Sequence, residues 1–337
     1  MRGWTAWVGS LAVVGCAGAS SPPPSAATAR AGSERAEDAG RAALEALGDV
    51  QRAAVVVLDP RNGRLLAAVG RGPAGDGEAF RVAPTGSTWK TLTVAAALDA
   101  GLDPERRFPG GGGVYGEGEA QVRDHAPSAW LDARRTLVES SNVGAAHIVE
   151  AVGPEPLLRL VDHLALRSPI RVGDREAAGV RFGGPDGGPE AEGGGASARR
   201  WAGGIGVEGS LVHLAFAYAA VAHGGIATRP TRDGSGEATR VLSAESARRC
   251  LGYLEDAVEE GTGRPAGVDG LRVGGKTGTA RLPRGEDEAW LALFVGVAPV
   301  ARPRYVVAVR VQRADPAYGG GVAGPVFRDV VRALASP

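Results

Sequence analysis

The pattern of apolar and polar positions divides the chain into two strand-rich ends and a helical middle. Residues 53–58 (AAVVVL) and 64–69 (RLLAAV) are apolar runs on either side of a DPRNG turn sequence, and they predict an antiparallel hairpin. Apolar runs of the same kind return near the end of the chain, at 272–282, 289–298 and 304–312. The sequence therefore predicts one antiparallel sheet built from both chain ends.

Between these strands, apolar residues recur at helical spacing. The predicted helices span 33–48, 87–100, 143–151, 154–166, 210–223, 243–260 and 325–335, the last begun by Pro325 in its first turn. The fold class that follows is α+β: an antiparallel sheet of about five strands with flanking helices and an inserted, mostly helical region.

The amino-terminal residues have the pattern of a targeting segment. The apolar run at 4–15 is shorter than the roughly 20 residues needed to span a bilayer, so it predicts a secretory signal. It ends at Cys16 in the tetrad VVGC, which resembles the lipobox of bacterial lipoproteins, where the cysteine is acylated. The alternative is an ordinary signal peptide with an incidental cysteine. We expect a lipoprotein signal peptide with lipobox over 1–16, a flexible tether over 17–32 and a folded domain over 33–337, secreted across the plasma membrane and lipid-anchored at the cell envelope.

Composition narrows the class of function. The 337 residues carry no formal net charge and only 5% aromatic side chains, which argues against nucleic acid as a partner. Cys250 is the one other cysteine, so no disulfide framework is expected. Cysteine and histidine spacings predict no metal site, and nothing in the sequence calls for a cofactor.

Lysine is rare in this chain. Of the 38 Lys and Arg residues, only Lys90 and Lys276 are lysines. A lysine amine loses its proton when it is buried or lies near another cation, whereas a guanidinium stays charged. The two positions are candidates for chemistry that arginine cannot perform, the alternative being chance.

The first candidate motif is Ser87 with Lys90, three residues later on one face of the predicted helix. A serine hydroxyl becomes a nucleophile when a neutral amine takes its proton, and desolvation favours the neutral amine. The free N–H groups at a helix start suit an anion that forms at the attacked carbonyl.

Two further stretches carry candidate chemistry. In ESSNVG, Ser140 and Asn142 are placed to relay a proton and hold a substrate amide, although Asn142 is also a plausible helix cap. In GGKTGTA, the glycines leave room for a second backbone to come close, while the lysine and two hydroxyls can bind a carboxylate. The plainer interpretation of the second stretch is a glycine-rich strand start with a solvated lysine.

The set S-x-x-K, S-x-N and K-T-G resembles the transpeptidase domain of class B-like penicillin-binding proteins, in the serine penicillin-recognising superfamily. AVVVLDPRNGRLLA and GGGVAGPVFRDVV are also similar to the first hairpin and last helix of this family, and the resemblance covers nearly all of 33–337. It implies a peptidoglycan D,D-transpeptidase or D,D-carboxypeptidase that acts on D-Ala-D-Ala stem peptides through an acyl-serine and is acylated by β-lactams. It implies as partners these stem peptides, β-lactam antibiotics, the membrane through the lipid anchor, and cell-wall synthesis proteins.

The resemblance also implies roles for single residues. It makes Ser87 the acylated nucleophile, Lys90 its base, Ser140 a proton relay to the leaving amine, Asn142 an orienting amide, and Lys276, Thr277, Gly278 and Thr279 the substrate-binding strand. Thr279 and Ser87 are candidates to donate their N–H groups to an oxyanion.

The sequence departs from the family pattern at two points, and two alternative functions are open. Thr85 separates Pro84 from Gly86, where the family usually has Pro-Gly. With the boundaries expected above, a lipobox and a tether would stand before the domain where class B members have a membrane-spanning anchor and a non-catalytic module. One alternative is a serine β-lactamase, but no E-x-x-L-N stretch lies between 142 and 276. The other, a non-catalytic sensor or wall-binding protein, would lack a motif residue, and none is missing.

Overall fold

The computed structural model describes residues 26–183, 195–282, 289–313 and 318–336. The expected signal peptide over 1–16, with its lipobox, lies outside these residues. So does the first part of the tether expected over 17–32.

Five antiparallel strands form the central sheet. They are β1 (Arg52–Leu58), β2 (Leu65–Arg71), β3 (Gly274–Arg281), β4 (Trp290–Ala298) and β5 (Tyr305–Arg313), in the spatial order β3-β4-β5-β1-β2. The two chain ends meet where β1 pairs with β5, with Val55 opposite Val309. The predicted fold class, hairpin and shared sheet are confirmed, and β3 lies at an edge of the sheet.

The sheet separates two hydrophobic cores. Along β1, Ala54, Val56 and Leu58 belong to one core, and the alternate residues Val55 and Val57 belong to the other. Successive side chains of a strand point to opposite faces, and both faces are covered, so the strand is apolar without interruption. The molecule thus has three layers, with the sheet between two sets of helices.

The described residues contain all seven predicted helices, in the predicted order, and two more. They are α1 (Ala26–Glu45), α2 (Lys90–Asp99), α3 (Ala133–Val138), α4 (Asn142–Val152), α5 (Glu155–His163), α6 (Gly195–Ala202), α7 (Leu211–Ala222), α8 (Ala244–Glu259) and α9 (Gly319–Ala335). The additions are α3 and α6. Within the described ranges, no helix is both long enough and apolar enough to cross a bilayer.

Short elements connect these parts. Single 3-10 turns occur at Gly75–Ala79, Gly86–Trp89, Gly111–Gly113, Gly118–Ala120 and Arg264–Ala266. Strands of two or three residues occur at Ala83–Pro84, Phe108–Pro109, Val114–Tyr115, Val122–Arg123, Trp130–Leu131, Ile170–Val172, Arg175–Ala177, Arg181–Phe182, Val207–Gly209, Ile226–Thr228 and Ala238–Arg240. They shape the loops around the helical region.

The first helix begins earlier than the sequence suggested. It starts at Ala26, inside the segment expected to be a tether, because the alanine-rich residues that follow favour a helix. Its small residues Ala36 and Gly40 face the sheet, where a Cβ on Gly40 would lie 2.7 Å from Val69 Cγ2. This close approach lets α1 lie flat on β2.

The last helix also begins earlier, so the prediction that Pro325 starts it was wrong. The helix starts at Gly319 and Pro325 lies inside it. Proline lacks the N–H that would bond the carbonyl of Gly321, but Gly321 is exposed and water can satisfy that oxygen. A Cβ on Gly319 would overlap the carbonyl oxygen of Gly278, so glycine is needed where the helix start meets β3.

Helix α7 fills the core on one side of the sheet. All of its residues are buried, and it packs on β1, β4 and β5 as well as on α2 and α8. This packing supports α2, and the 3-10 turn Gly86–Trp89 that precedes α2 lies against the edge strand β3, where a Cβ on Gly278 would lie 2.9 Å from Thr88 Cγ2. The three predicted motifs converge at this junction.

Candidate active site

A tight turn brings the Ser87 hydroxyl to the Lys90 amine. Residues Gly86–Trp89 form a 3-10 helix and α2 begins only at Lys90, so the helix predicted over 87–100 starts with a narrower turn than expected. Side chains three residues apart eclipse in a 3-10 helix, and Lys90 Nζ lies 2.6 Å from Ser87 Oγ. Ser87 is half-buried, so part of its side chain is reachable from the surface.

The neighbours of Lys90 suit an amine that has lost its proton. Lys90 Nζ lies 2.7 Å from Asn142 Oδ1 and 3.4 Å from the carbonyl oxygen of Gly203. These two atoms only accept hydrogen bonds, whereas the Ser87 hydroxyl can donate one. A neutral amine has two N–H donors and one lone pair, so the lone pair is left for the proton of Ser87.

Burial controls the charge of both lysines. Lys90 is fully buried, and this desolvation lowers its pKa to about 7, against an opposing effect of the Asp124 carboxylate. Burial also lowers the pKa of Lys276 well below its ordinary value, and the nearby positive charge of Lys90 adds to that effect. Lys90 therefore holds a usable lone pair near neutral pH.

Asn142 is the first residue of α4, and its amide group is aimed by a backbone contact. Its Nδ2 donates to the carbonyl oxygen of Arg123 over 2.6 Å, which turns Oδ1 toward Lys90. The cap of α4 is Ser141, whose hydroxyl accepts from the N–H of Gly144. Asn142 is therefore free of the capping role that the sequence left open.

Asp124 organises the start of α4, and sequence reasoning missed it. Its carboxylate accepts hydrogen bonds from the Ser141 hydroxyl over 2.6 Å and from the N–H groups of Asn142 and Val143 over 2.5 and 3.0 Å. A carboxylate at a helix N-terminus is favoured by the helix dipole. Because Asp124 lies in a separate loop, no local spacing in the sequence could have identified it.

Ser140 occupies a strained position between α3 and α4. Its φ is +61°, in the left-handed region that few residues other than glycine adopt, and it is partly exposed. In the part of the chain that the structure describes, its hydroxyl has no hydrogen-bond partner. The hydroxyl is therefore available to bond a ligand.

The strand β3 places the K-T-G-T residues next to the nucleophile turn. Lys276 is fully buried, and its Nζ donates to the carbonyl oxygen of Thr277 over 3.2 Å. The Thr277 and Thr262 hydroxyls are 2.9 Å apart, and the Thr279 hydroxyl accepts from the N–H of Gly319. The lysine is not solvated, so the plainer interpretation of this stretch is wrong.

The nucleophile turn and the edge strand touch through glycine. A Cβ on Gly86, whose φ is +52°, would lie 2.9 Å from the carbonyl oxygen and 3.2 Å from the nitrogen of Thr279. On the opposite side, a Cβ on Gly204 would overlap the carbonyl oxygen of Gly86. This contact brings the residue next to Ser87 against the backbone of Thr279.

The inserted Thr85 is built into this junction. Its N–H and its hydroxyl both donate to the carbonyl oxygen of Val207, over 2.9 and 3.0 Å, and its own carbonyl accepts from the Thr88 hydroxyl over 2.7 Å. The insertion therefore ties the nucleophile turn to the strand Val207–Gly209 and leaves the Ser87–Lys90 contact in place.

Comparison with known proteins agrees with this arrangement. Residues 53–332 match the family described as the penicillin binding protein transpeptidase domain. The chain belongs to this family.

Named relatives of this transpeptidase domain come from several bacteria. The chain is 34% identical over 313 residues to the probable peptidoglycan D,D-transpeptidase PenA of Neisseria flavescens, covering 82% of this chain and 74% of that protein. It is 32% identical over 309 residues to PenA of Neisseria gonorrhoeae, covering 82% of this chain and 50% of that protein. The chain thus spans only about half the length of some curated relatives.

A solved structure shares the architecture of this transpeptidase domain. The apo transpeptidase domain of Burkholderia pseudomallei penicillin-binding protein 3 superposes with a TM-score of 0.78 at 30% identity, covering 92% of this chain and 96% of that one. The family and the fold predicted from the motifs are therefore confirmed.

Proposed function

We propose that the chain is a serine-type peptidoglycan D,D-transpeptidase or D,D-carboxypeptidase that works through an acyl-serine intermediate and is acylated by β-lactams. The observation that carries this proposal is the buried Lys90 amine, whose remaining neighbours are acceptors and whose lone pair meets the Ser87 hydroxyl at 2.6 Å. The names of the relatives support the same reaction class.

In the proposed acylation, Ser87 Oγ attacks the carbonyl carbon of the penultimate D-Ala while its proton passes to Lys90. The carbonyl oxygen becomes an anion that the N–H groups of Ser87 and Thr279 stabilise. The carbon–nitrogen bond then breaks, and the proton held by Lys90 passes through Ser140 to the leaving D-Ala amine. An ester on Ser87 remains, which an acceptor amine or water cleaves in the second half-reaction.

Recognition of the donor peptide falls to β3 and α4 in this proposal. The terminal carboxylate binds Lys276, Thr277 and Thr279, while Gly278 leaves room for the peptide backbone. Asn142 bonds the substrate amide next to the scissile bond. In a β-lactam the broken amide belongs to the ring, so the leaving amine stays attached and the ester persists.

We also propose that Cys16 carries lipid and holds the domain outside the plasma membrane. The apolar run at 4–15 and the tetrad VVGC support this anchor. The relatives named PenA are described as probable peptidoglycan D,D-transpeptidases, which agrees with an extracytoplasmic site.

Intact-mass measurement of the full chain with benzylpenicillin tests the proposal. We expect one long-lived adduct on the wild-type protein and none on Ser87→Ala, because the ester forms on that hydroxyl. The same spectra should show a chain that begins at Cys16 with attached lipid. Rapid loss of the adduct with hydrolysis of penicillin would indicate a β-lactamase, and an adduct on Ser87→Ala would contradict the assignment of the nucleophile.

The pH dependence of acylation tests the base. Only the neutral Lys90 amine can accept the Ser87 proton, and burial sets its pKa at about 7. We expect the acylation rate constant to rise with pH to a midpoint near 7 and then level off. The measurement is stopped-flow or quenched acylation across the pH range, with a second β-lactam to separate ligand titration. A rate that is flat from pH 5.5 to 9 would exclude this role for Lys90.

A further inference from the structure

Helix α7 places a phenol under the nucleophile turn. Tyr218 is completely buried, and its hydroxyl donates to the carbonyl oxygen of Thr88 over 2.7 Å. The same hydroxyl accepts from Thr91 Oγ1 over 2.7 Å. Thr88 is a middle residue of the S-x-x-K motif, so this contact reaches the turn between Ser87 and Lys90.

The carbonyl that Tyr218 holds lies where the backbone changes its helical form. The 3-10 turn ends at Trp89 and α2 begins at Lys90. A buried carbonyl needs hydrogen-bond partners, and the Tyr218 hydroxyl supplies one to Thr88 beside the backbone N–H of Lys90. Burial raises the pKa of Tyr218, so the phenol stays protonated and donates at any pH at which the protein works.

The turn is held on its other side by different groups. The Thr88 hydroxyl donates to the carbonyl oxygen of Thr85, and its methyl group faces Gly278 of β3. Tyr218 supplies the support from the core. Together these contacts hold the backbone of the turn between Ser87 and Lys90.

We propose that Tyr218 is a positioning residue for acylation, which acts by holding the Thr88 carbonyl and thereby the contact between Ser87 Oγ and Lys90 Nζ. This inference rests on the proposed function of Ser87 and Lys90. If the support is removed, the turn relaxes, the contact lengthens and water reaches the buried amine.

The effect of losing Tyr218 on the pKa of Lys90 can be distinguished from the effects of the other titratable groups nearby. Asp124, next to the start of α4, raises the pKa of Lys90, whereas burial and the charge of Lys90 lower the pKa of Lys276 on β3. Tyr218 from α7 and Cys250 from α8 are neutral, since burial raises the pKa of Cys250 to about 12. Water entry is therefore expected to raise the pKa of Lys90 toward its ordinary value, because desolvation is what lowers it.

The test is the pH profile of acylation of Tyr218→Phe, beside Tyr253→Phe as a matched control on α8, where the hydroxyl bonds Arg249. We expect Tyr218→Phe to move the midpoint up by about one pH unit and to slow acylation at pH 7 by about 10-fold. Tyr253→Phe should change neither. A destabilised but correctly positioned site would lower the melting temperature without moving the midpoint, and that result would overturn the inference.

The test still gives an answer if Tyr218→Phe is partly or completely unfolded. With excess β-lactam, unfolded protein that does not refold during the measurement lowers the amplitude of acylation and leaves the observed rate constant unchanged. If that variant does not fold, Thr91→Val serves instead, because losing the donated hydrogen bond weakens the phenol as a donor. A smaller upward shift of the midpoint is then expected, and no shift contradicts the proposal. Failure of the wild-type protein to acylate would instead reject the proposed function.

Discussion

Lys90→Arg is expected to lower the acylation rate constant for benzylpenicillin by about 10³-fold. The guanidinium keeps its positive charge at any accessible pH, so it cannot take the Ser87 proton. It also places a larger cation among two acceptor oxygens in a fully buried site. Quenched-flow mass spectrometry of the adduct measures the effect.

Lys90→Met is the companion variant, because it keeps the length of the side chain and removes the amine. Both variants should lose acylation, although only Lys90→Arg buries a charge. Melting temperatures show whether each variant is folded. Acylation within about 10-fold of the wild type by folded Lys90→Met would show that another group removes the proton.

The second large effect is expected from Gly204→Ala. The residue has φ +81°, and its Cβ would overlap the carbonyl oxygen of Gly86, just before the nucleophile. The left-handed backbone costs about 1–2 kcal/mol for alanine, and relief of the overlap must move the turn. We expect a loss of about 3 kcal/mol in the free energy of unfolding and acylation slowed by about 100-fold.

Gly101→Ala is the matched control for this prediction. Its φ is +88°, but nothing lies within 4 Å of the position of its Cβ. It should show only the backbone cost and leave acylation unchanged. Urea unfolding and acylation kinetics of both variants separate strain from displacement, and equal losses of activity in the two would contradict the assigned role of Gly204.

Local patterns predicted most of the fold. The uninterrupted apolar run of β1 and its DPRNG turn indicated a buried hairpin, and the later strands complete its sheet in the observed order. The scarcity of lysine pointed to Lys90 and Lys276, and both are fully buried in the candidate active site. These features depend on residue type and short spacing, which a sequence displays directly.

Other parts of the site depend on tertiary contacts and could not be predicted. Asp124 bonds the start of α4 from a separate loop, and Tyr218 reaches Thr88 across 130 positions in sequence. The starts of α1 and α9 were also misplaced. Locally, their glycines and alanines resemble linker or loop residues, and the need for Gly319 appears only from its close approach to Gly278 on β3.

The strand order has a mechanical consequence. Helix α1 lies on β2, and β3 is at the opposite edge of the five-stranded sheet, roughly 19 Å away at the usual strand spacing. Helix α9 packs on α1 and also contacts the catalytic edge, where the N–H of Gly319 donates to the Thr279 hydroxyl. A load on α1 is therefore carried to the strand of Thr279 through α9, without passing across the intervening strands of the sheet.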